Sequence, residues 1–165
     1  MGSGPTYVAV GDFNGDGNAD LAIANQTSSS LTVMLGSANG TFPAATITNI
    51  PLPVGATTPL DLVAADLNGD NKIDLAVSNM SNTITVFLNT GVSFTTANYT
   101  TGIQGSAIAA GDISGDGKPD LVVGQANGAT VLAMLNNAAG TGVFTAGPSR
   151  AVAGTVADVA LADRS

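Results

Sequence analysis

Nine of the chain's twelve acidic side chains fall in three short clusters, and every acidic residue is Asp. The first cluster is Asp12-Phe13-Asn14-Gly15-Asp16-Gly17-Asn18-Ala19-Asp20. It recurs as Asp66-Leu67-Asn68-Gly69-Asp70-Asn71-Lys72-Ile73-Asp74 and as Asp112-Ile113-Ser114-Gly115-Asp116-Gly117-Lys118-Pro119-Asp120. Counting from the first Asp, positions 1, 3, 5 and 9 carry Asp, Asn or Ser, Asp and Asp, and position 7 adds a backbone carbonyl. Alternate side chains of a tight turn converge on one point, and a hard cation such as Ca²⁺ takes roughly 6–8 oxygen ligands. Gly15, Gly69 and Gly115 at position 4, and Gly17, Asn71 and Gly117 at position 6, are the residue types that tolerate positive φ in a backbone wrapped around an ion. Crowded carboxylates repel one another unless a cation neutralises them. Three Ca²⁺ would bring the formal charge from −8 to −2. Asp-Asn-Gly clusters are also ordinary turn formers, but three copies in register favour metal over turn chemistry alone. Mg²⁺ fits less well, because it prefers fewer protein ligands.

The twelve-residue helical calcium loop is a poor match. It needs a bidentate Glu at position 12, where this chain has Ile23, Val77 and Val123. The bidentate role falls to Asp20, Asp74 and Asp120. Lys72 and Lys118 at position 7 are expected to offer only their carbonyls, with side chains in solvent. Ser114 in place of Asn makes the third loop somewhat different.

The loops must be held by a repeating unit. They start at residues 12, 66 and 112, which are 54 and 46 apart, a period of propeller blades or solenoid units. A small-residue β segment precedes each loop: Val8-Ala9-Val10, Val63-Ala64-Ala65, Ile108-Ala109-Ala110. An apolar run follows it: Leu21 to Ala24, Leu75 to Val77, Leu121 to Val123. A third run spans 31–35, 84–88 and 131–135, and Phe42, Phe94 and Phe144 open a fourth. Runs of this length bounded by Gly, Asn, Ser and Pro predict strands, and no window sustains helical spacing. The expected fold is all-β: four-stranded antiparallel propeller blades with the loop between the first two strands. A solenoid or a two-sheet sandwich is the alternative. Blade 1 is expected over about 6–52, blade 2 over about 58–102 and blade 3 over about 105–152, in one repeat domain, 6–165. Residues 155–163 repeat a first strand, since Asp158 to Asp163 parallels Asp61 to Asp66. Residues 1–5 read as an appended leader, and Arg164-Ser165 as another appendage.

Composition removes several function classes. With no Cys and no His, thiolate zinc sites, disulfides, His-ligated metals and a Ser-His-Asp triad are ruled out. Four basic residues cannot build a nucleic-acid surface. No apolar stretch reaches the length of a membrane helix, and no signal peptide is present.

The loops and flanking strands resemble FG-GAP/VCBS repeats, the blades of the integrin α-subunit propeller and of many bacterial secreted proteins. The resemblance covers essentially the whole chain and implies a Ca²⁺-stabilised propeller with its metal loops on one face. It implies as ligands Asp12, Asn14, Asp16, Asn18 (carbonyl) and Asp20; Asp66, Asn68, Asp70, Lys72 (carbonyl) and Asp74; and Asp112, Ser114, Asp116, Lys118 (carbonyl) and Asp120. Asn71 and Ser114 depart from the pattern. A secreted or extracellular parent is implied too. The expected function is a calcium-binding structural or protein-interaction module, not an enzyme. A calcium-dependent lectin is the alternative, weakened by an aromatic content of 4% with no Trp. Three blades leave faces uncovered, so a homo-oligomer is expected, a dimer completing one ring. Sequons at Asn25, Asn39, Asn79 and Asn98 are read as coincidental in an Asn/Thr-rich chain, and the three Phe as blade core.

Overall fold

The computed structural model describes residues 2–91, 93–137 and 142–161. Among the described residues twelve strands form three antiparallel sheets of four, each in sequence order or its reverse. Blade 1 holds β1 (Pro5–Gly11), β2 (Asp20–Asn25), β3 (Ser30–Met34) and β4 (Ile47–Pro51). Blade 2 holds β5 (Pro59–Ala65), β6 (Asp74–Asn79), β7 (Thr83–Asn89) and β8 (Phe94–Thr100). Blade 3 holds β9 (Gly105–Gly111), β10 (Asp120–Gln125), β11 (Thr130–Asn136) and β12 (Phe144–Ala151). This is the expected all-β unit, with each acidic loop joining first strand to second. Phe94 and Phe144 open their fourth strands as expected. Blade 1 differs: Phe42 is followed by Pro43 and a 3-10 turn at Ala44–Thr46, and its fourth strand begins only at Ile47. Pro43 contributes its carbonyl to that turn, accepting from Thr46 N at 2.9 Å. No helix among the described residues is long and apolar enough to cross a membrane.

Why the strands read as continuous apolar runs follows from how the blades stack. A sheet covered on both faces has no side for polar residues, and all six residues of β6 are buried. The front of blade 1 offers small residues, Ala22 and Ala24, with Leu31 and Val33. The back of blade 2 answers with larger ones, Leu62, Leu75, Val77 and Phe87, and Phe13 closes the seam. The second seam repeats this pairing. Ala76, Ile84, Val86 and Leu67 of blade 2 meet Ile108, Leu121, Val123, Leu132, Met134 and Phe144 of blade 3. Burial of each such large side chain contributes about 1.5–3 kcal/mol.

Blade 1 has no neighbour behind it among the described residues. Val8 and Val10 are 50% and 61% exposed, whereas Leu62 and Ile108, the counterparts of Val8, are 2% and 5% exposed. In front of blade 3 lie residues 155–161, in the place of a further first strand. Ser106 Oγ donates to Val156 O at 3.1 Å, as Thr6 Oγ1 donates to Pro59 O at 3.3 Å between blades 1 and 2. A Cβ added at Gly124 would meet the Val156 side chain, and one added at Gly111 would meet Leu161. Missing side chains at those two glycines thus let the segment lie close on the sheet. Asp163, the expected first ligand of a fourth loop, lies outside the described residues, as does Arg164-Ser165.

Candidate metal loops

Each loop is held by its own first Asp. Asp12 Oδ1 accepts from Gly15 N and Asp16 N (2.8 and 3.1 Å), and Oδ2 accepts from Gly17 N at 2.8 Å. Asp66 receives Gly69 N, Asp70 N and Asn71 N, and Asp112 receives Gly115 N, Asp116 N and Gly117 N, in the same order. One carboxylate thus gathers three successive donors that no strand can pair. This wrap requires positive φ at position 6: +82° at Gly17 and Gly117, and +63° at Asn71. A Cβ at Gly17 or Gly117 would touch nothing, so backbone conformation, not space, selects glycine there.

Positions 3 and 5 form the outer side. Asn14 Nδ2 donates to Asp16 Oδ2 at 3.0 Å, and Asp16 Oδ1 accepts from Asn18 N at 2.8 Å. The Asn14 amide is the main influence holding the Asp16 carboxyl below the usual carboxylate range. In loop 3, the Gly117 amide has the largest lowering effect on Asp112. The Lys72 side chain keeps 41% of its surface in solvent, as expected, and finds a partner there. Its ammonium folds back onto Asp70 Oδ2 at 2.8 Å and lowers the Asp70 carboxyl. The chain is short of cations, and an ammonium two residues away is the nearest neutralising charge. The pair is largely solvent-exposed and adds little stability.

Position 9 is different in kind: Asp20, Asp74 and Asp120 are fully buried. Asp20 accepts from Phe13 N (2.8 Å) in the loop and from Gly36 N (2.7 Å) after the third strand. Asp74 accepts from Leu67 N and Asn89 N, and Asp120 from Ile113 N, Ser114 N and Asn136 N. Each therefore anchors its loop to the blade. A carboxylate oxygen has two lone-pair directions, so one such bond leaves capacity for a cation. Burial pushes the Asp74 carboxyl up, and repulsion from Asp70 and Asp66 adds to the rise.

Among the described residues no three acidic side chains, those of each loop included, are grouped so that they could hold a metal ion. By residue type each loop carries carboxylates, an Asn or Ser side chain and a position-7 carbonyl, the set expected from the sequence. That set suits a hard cation, and the mutual repulsion within loop 2 is what a cation would relieve.

Two residues that the sequence reading passed over tie the loops together. Asn89 Nδ2 donates to Phe13 O of the preceding loop at 2.7 Å and to Ile73 O of its own at 3.1 Å. Asn136 does the same with Leu67 O (2.7 Å) and Pro119 O (3.0 Å). The available signal was an Asn directly after the third apolar run, in Leu88-Asn89 and Leu135-Asn136; blade 1 has Leu35-Gly36. Asp61 was missed as well. It joins blade 2 to blade 3 by accepting from Leu62 N and Ile108 N at 2.8 and 2.9 Å.

The FG-GAP-like repeat matches residues 12–77 and again 66–123, and a second FG-GAP repeat description matches 104–143. The chain belongs to the FG-GAP-like repeat family. The FG-GAP assignment agrees with the loop spacing and with the four-stranded blade. In sequence, no curated protein matches the chain. Solved structures share the fold. The crystal structure of BBS1N in complex with ARL6DN, soaked with lead, superposes with a TM-score of 0.65 at 17% identity, over 98% of this chain and 50% of that one. The mercury-soaked crystal of the same complex gives 0.52 at 14% identity, over 93% of this chain and 57% of that one. The FG-GAP chain spans about half the length of the solved chains it matches.

Proposed function

We propose that this chain is a calcium-braced propeller module for protein interaction. The observation that carries the reading is the acidic loop, built three times with the same residue types and the same amide wrap. Asp12, Asn14, Asp16, Asp20 and the Asn18 carbonyl would hold one ion. Asp66, Asn68, Asp70, Asp74 and the Lys72 carbonyl would hold a second, and Asp112, Ser114, Asp116, Asp120 and the Lys118 carbonyl a third. Bound Ca²⁺ would supply the positive charge that lets these oxygens stay close. The chain's own residues do the rest. The position-1 carboxylate orders the loop backbone, the position-9 carboxylate fastens it to two strands, and Asn89 and Asn136 carry that order into the next blade. A composition without His, Cys or Glu favours a bracing role over catalysis. Protein partnership is supported by the likeness to BBS1N, whose crystals contain ARL6DN.

A cation bound only by the folded state must raise its stability, by about 2.7 kcal/mol per site at a hundredfold excess over Kd. Thermal melting in Ca²⁺ and in chelator is the test. A clear rise with Ca²⁺, larger than with equal Mg²⁺, is expected; superimposable melts would remove calcium from the reading. We also infer that a second copy covers the back of blade 1, because its Val8 is exposed where blades 2 and 3 bury the counterparts Leu62 and Ile108. Light scattering should then give a dimer mass that Val8→Asp plus Val10→Asp reduces to a monomer. A wild-type monomer at high concentration in Ca²⁺ would remove the second copy.

A further inference from the structure

The two inter-blade seams are built from equivalent positions, with one exchange at their outer edge. In blade 2, Tyr99 lies across from Ile84 on β7; at the same place in blade 1, Ile50 lies across from Leu31 on β3. The Tyr99 ring stands edge-on to Phe144, with centroids 5.7 Å apart and planes at 76°. Its hydroxyl donates to Gly142 O at 3.1 Å. Phe94 is the counterpart of Phe144, since each faces the last residue of its third strand, Asn89 or Asn136. Ile50 brings no ring to Phe94. The space in front of it is a cavity of about 330 Å³, walled by Phe13, Val33, Leu35, Ile50 and Phe94, with Asn14 of loop 1 beside it.

The size admits a ring, and the chemistry of the walls favours one. A dry cavity of roughly 150 Å³ already admits benzene, and small-molecule sites begin near about 300 Å³. One six-membered ring and its attachment fit. Phe13 and Phe94 already meet edge to face at 6.5 Å and 68°, and Phe94 and Phe87 at 6.4 Å and 83°. Another ring would join the same herringbone, a favoured aromatic geometry. In the twin seam the chain fills this place with a tyrosine.

We propose that the cavity between blades 1 and 2 receives one tyrosine side chain of a partner polypeptide, which completes that seam as Tyr99 completes the other. The inference rests on the interaction-module reading. It places the partner's anchor beside loop 1, at the outer edge of the seam.

The test is a methyl and amide NMR titration of the whole chain with N-acetyl-L-tyrosinamide, using N-acetyl-L-alaninamide as the blank. Saturable shifts are expected at Val33, Leu35 and Ile50, with a Kd on the order of 1 mM, as befits a single ring. Ile50→Tyr should fill the cavity with the chain's own ring and weaken binding at least about tenfold. Leu35→Phe should do so from another wall, should the first variant fail to fold. Absence of saturable shifts up to about 10 mM, unchanged binding in a folded cavity-filling variant, or the same shifts with N-acetylglucosamine in place of the tyrosine probe would overturn the inference. A polypeptide partner whose binding is indifferent to Ile50→Tyr would overturn it too, while leaving the interaction reading intact.

Discussion

Blade 2 and blade 1 share a loop, a strand order and a register, yet they differ in what stands behind them. Blade 2 is covered on both faces, and its second strand has no exposed residue. Blade 1 is covered only in front; Leu21 and Ile23 of its second strand are half-buried where Leu75 and Val77 are fully buried. Blade 2 also carries the amide of Asn89 into two loops, where blade 1 has Gly36. The comparison teaches that a blade of this family is not a self-sufficient unit. Its local geometry is autonomous, whereas its stability is shared with the blades on either side, as in other stacked repeats.

The largest expected effect tests that sharing directly. Leu75→Ala opens a cavity in a closed seam and should cost about 2–5 kcal/mol. Leu21→Ala, the same substitution on the open face, should cost less than half as much. Urea denaturation of both variants measures the difference, and equal losses would mean that blade 1 is as fully packed as blade 2.

The amide latch comes next. Asn89→Ala strands Phe13 O and Ile73 O and should cost about 1–3 kcal/mol. Asn136→Ala should cost less. Among the described residues Asn136 Oδ1 is buried without a partner, whereas Asn89 Oδ1 accepts from Gly91 N, so the Asn136 variant removes an oxygen with no such bond. An Asn136 loss equal to or above the Asn89 loss would break this ordering.

The smallest effect is a pH dependence at Asp61, which blade 1 and blade 3 replace with Tyr7 and Ala107. Burial pushes the Asp61 carboxyl above its ordinary value. The folded state therefore holds this proton more tightly than the unfolded chain does. Above the raised pKa the buried charge costs stability, and that cost is relieved as pH falls through it. The stability of the wild type relative to Asp61→Asn should thus rise on acidification through the range just above ordinary carboxylates. Denaturation series at several pH values would show it; a flat or falling difference would mean that burial does not govern Asp61.

Much of this protein was legible as sequence. Loop residues at fixed offsets, small first strands and a blade-sized period follow from side-chain size and turn chemistry within a few residues, and the amide wrap on Asp12 spans only three to five positions. By itself the sequence also pointed to the four-stranded unit, because four short apolar runs per period, bounded by Gly and Asn, suit strands and not helices. The tertiary structure decided what lies between units. It turned Asp20, Asp74 and Asp120 inward as anchors, drew Lys72 onto Asp70, joined Asn89 to a carbonyl 76 residues away and Asp61 to an amide 47 residues away, and left a cavity where Ile50 stands in for a tyrosine. Such contacts are absent from any local pattern. The Asn89 and Asp61 bonds form only when two blades are pressed together and each buried polar group must find its partner across the seam.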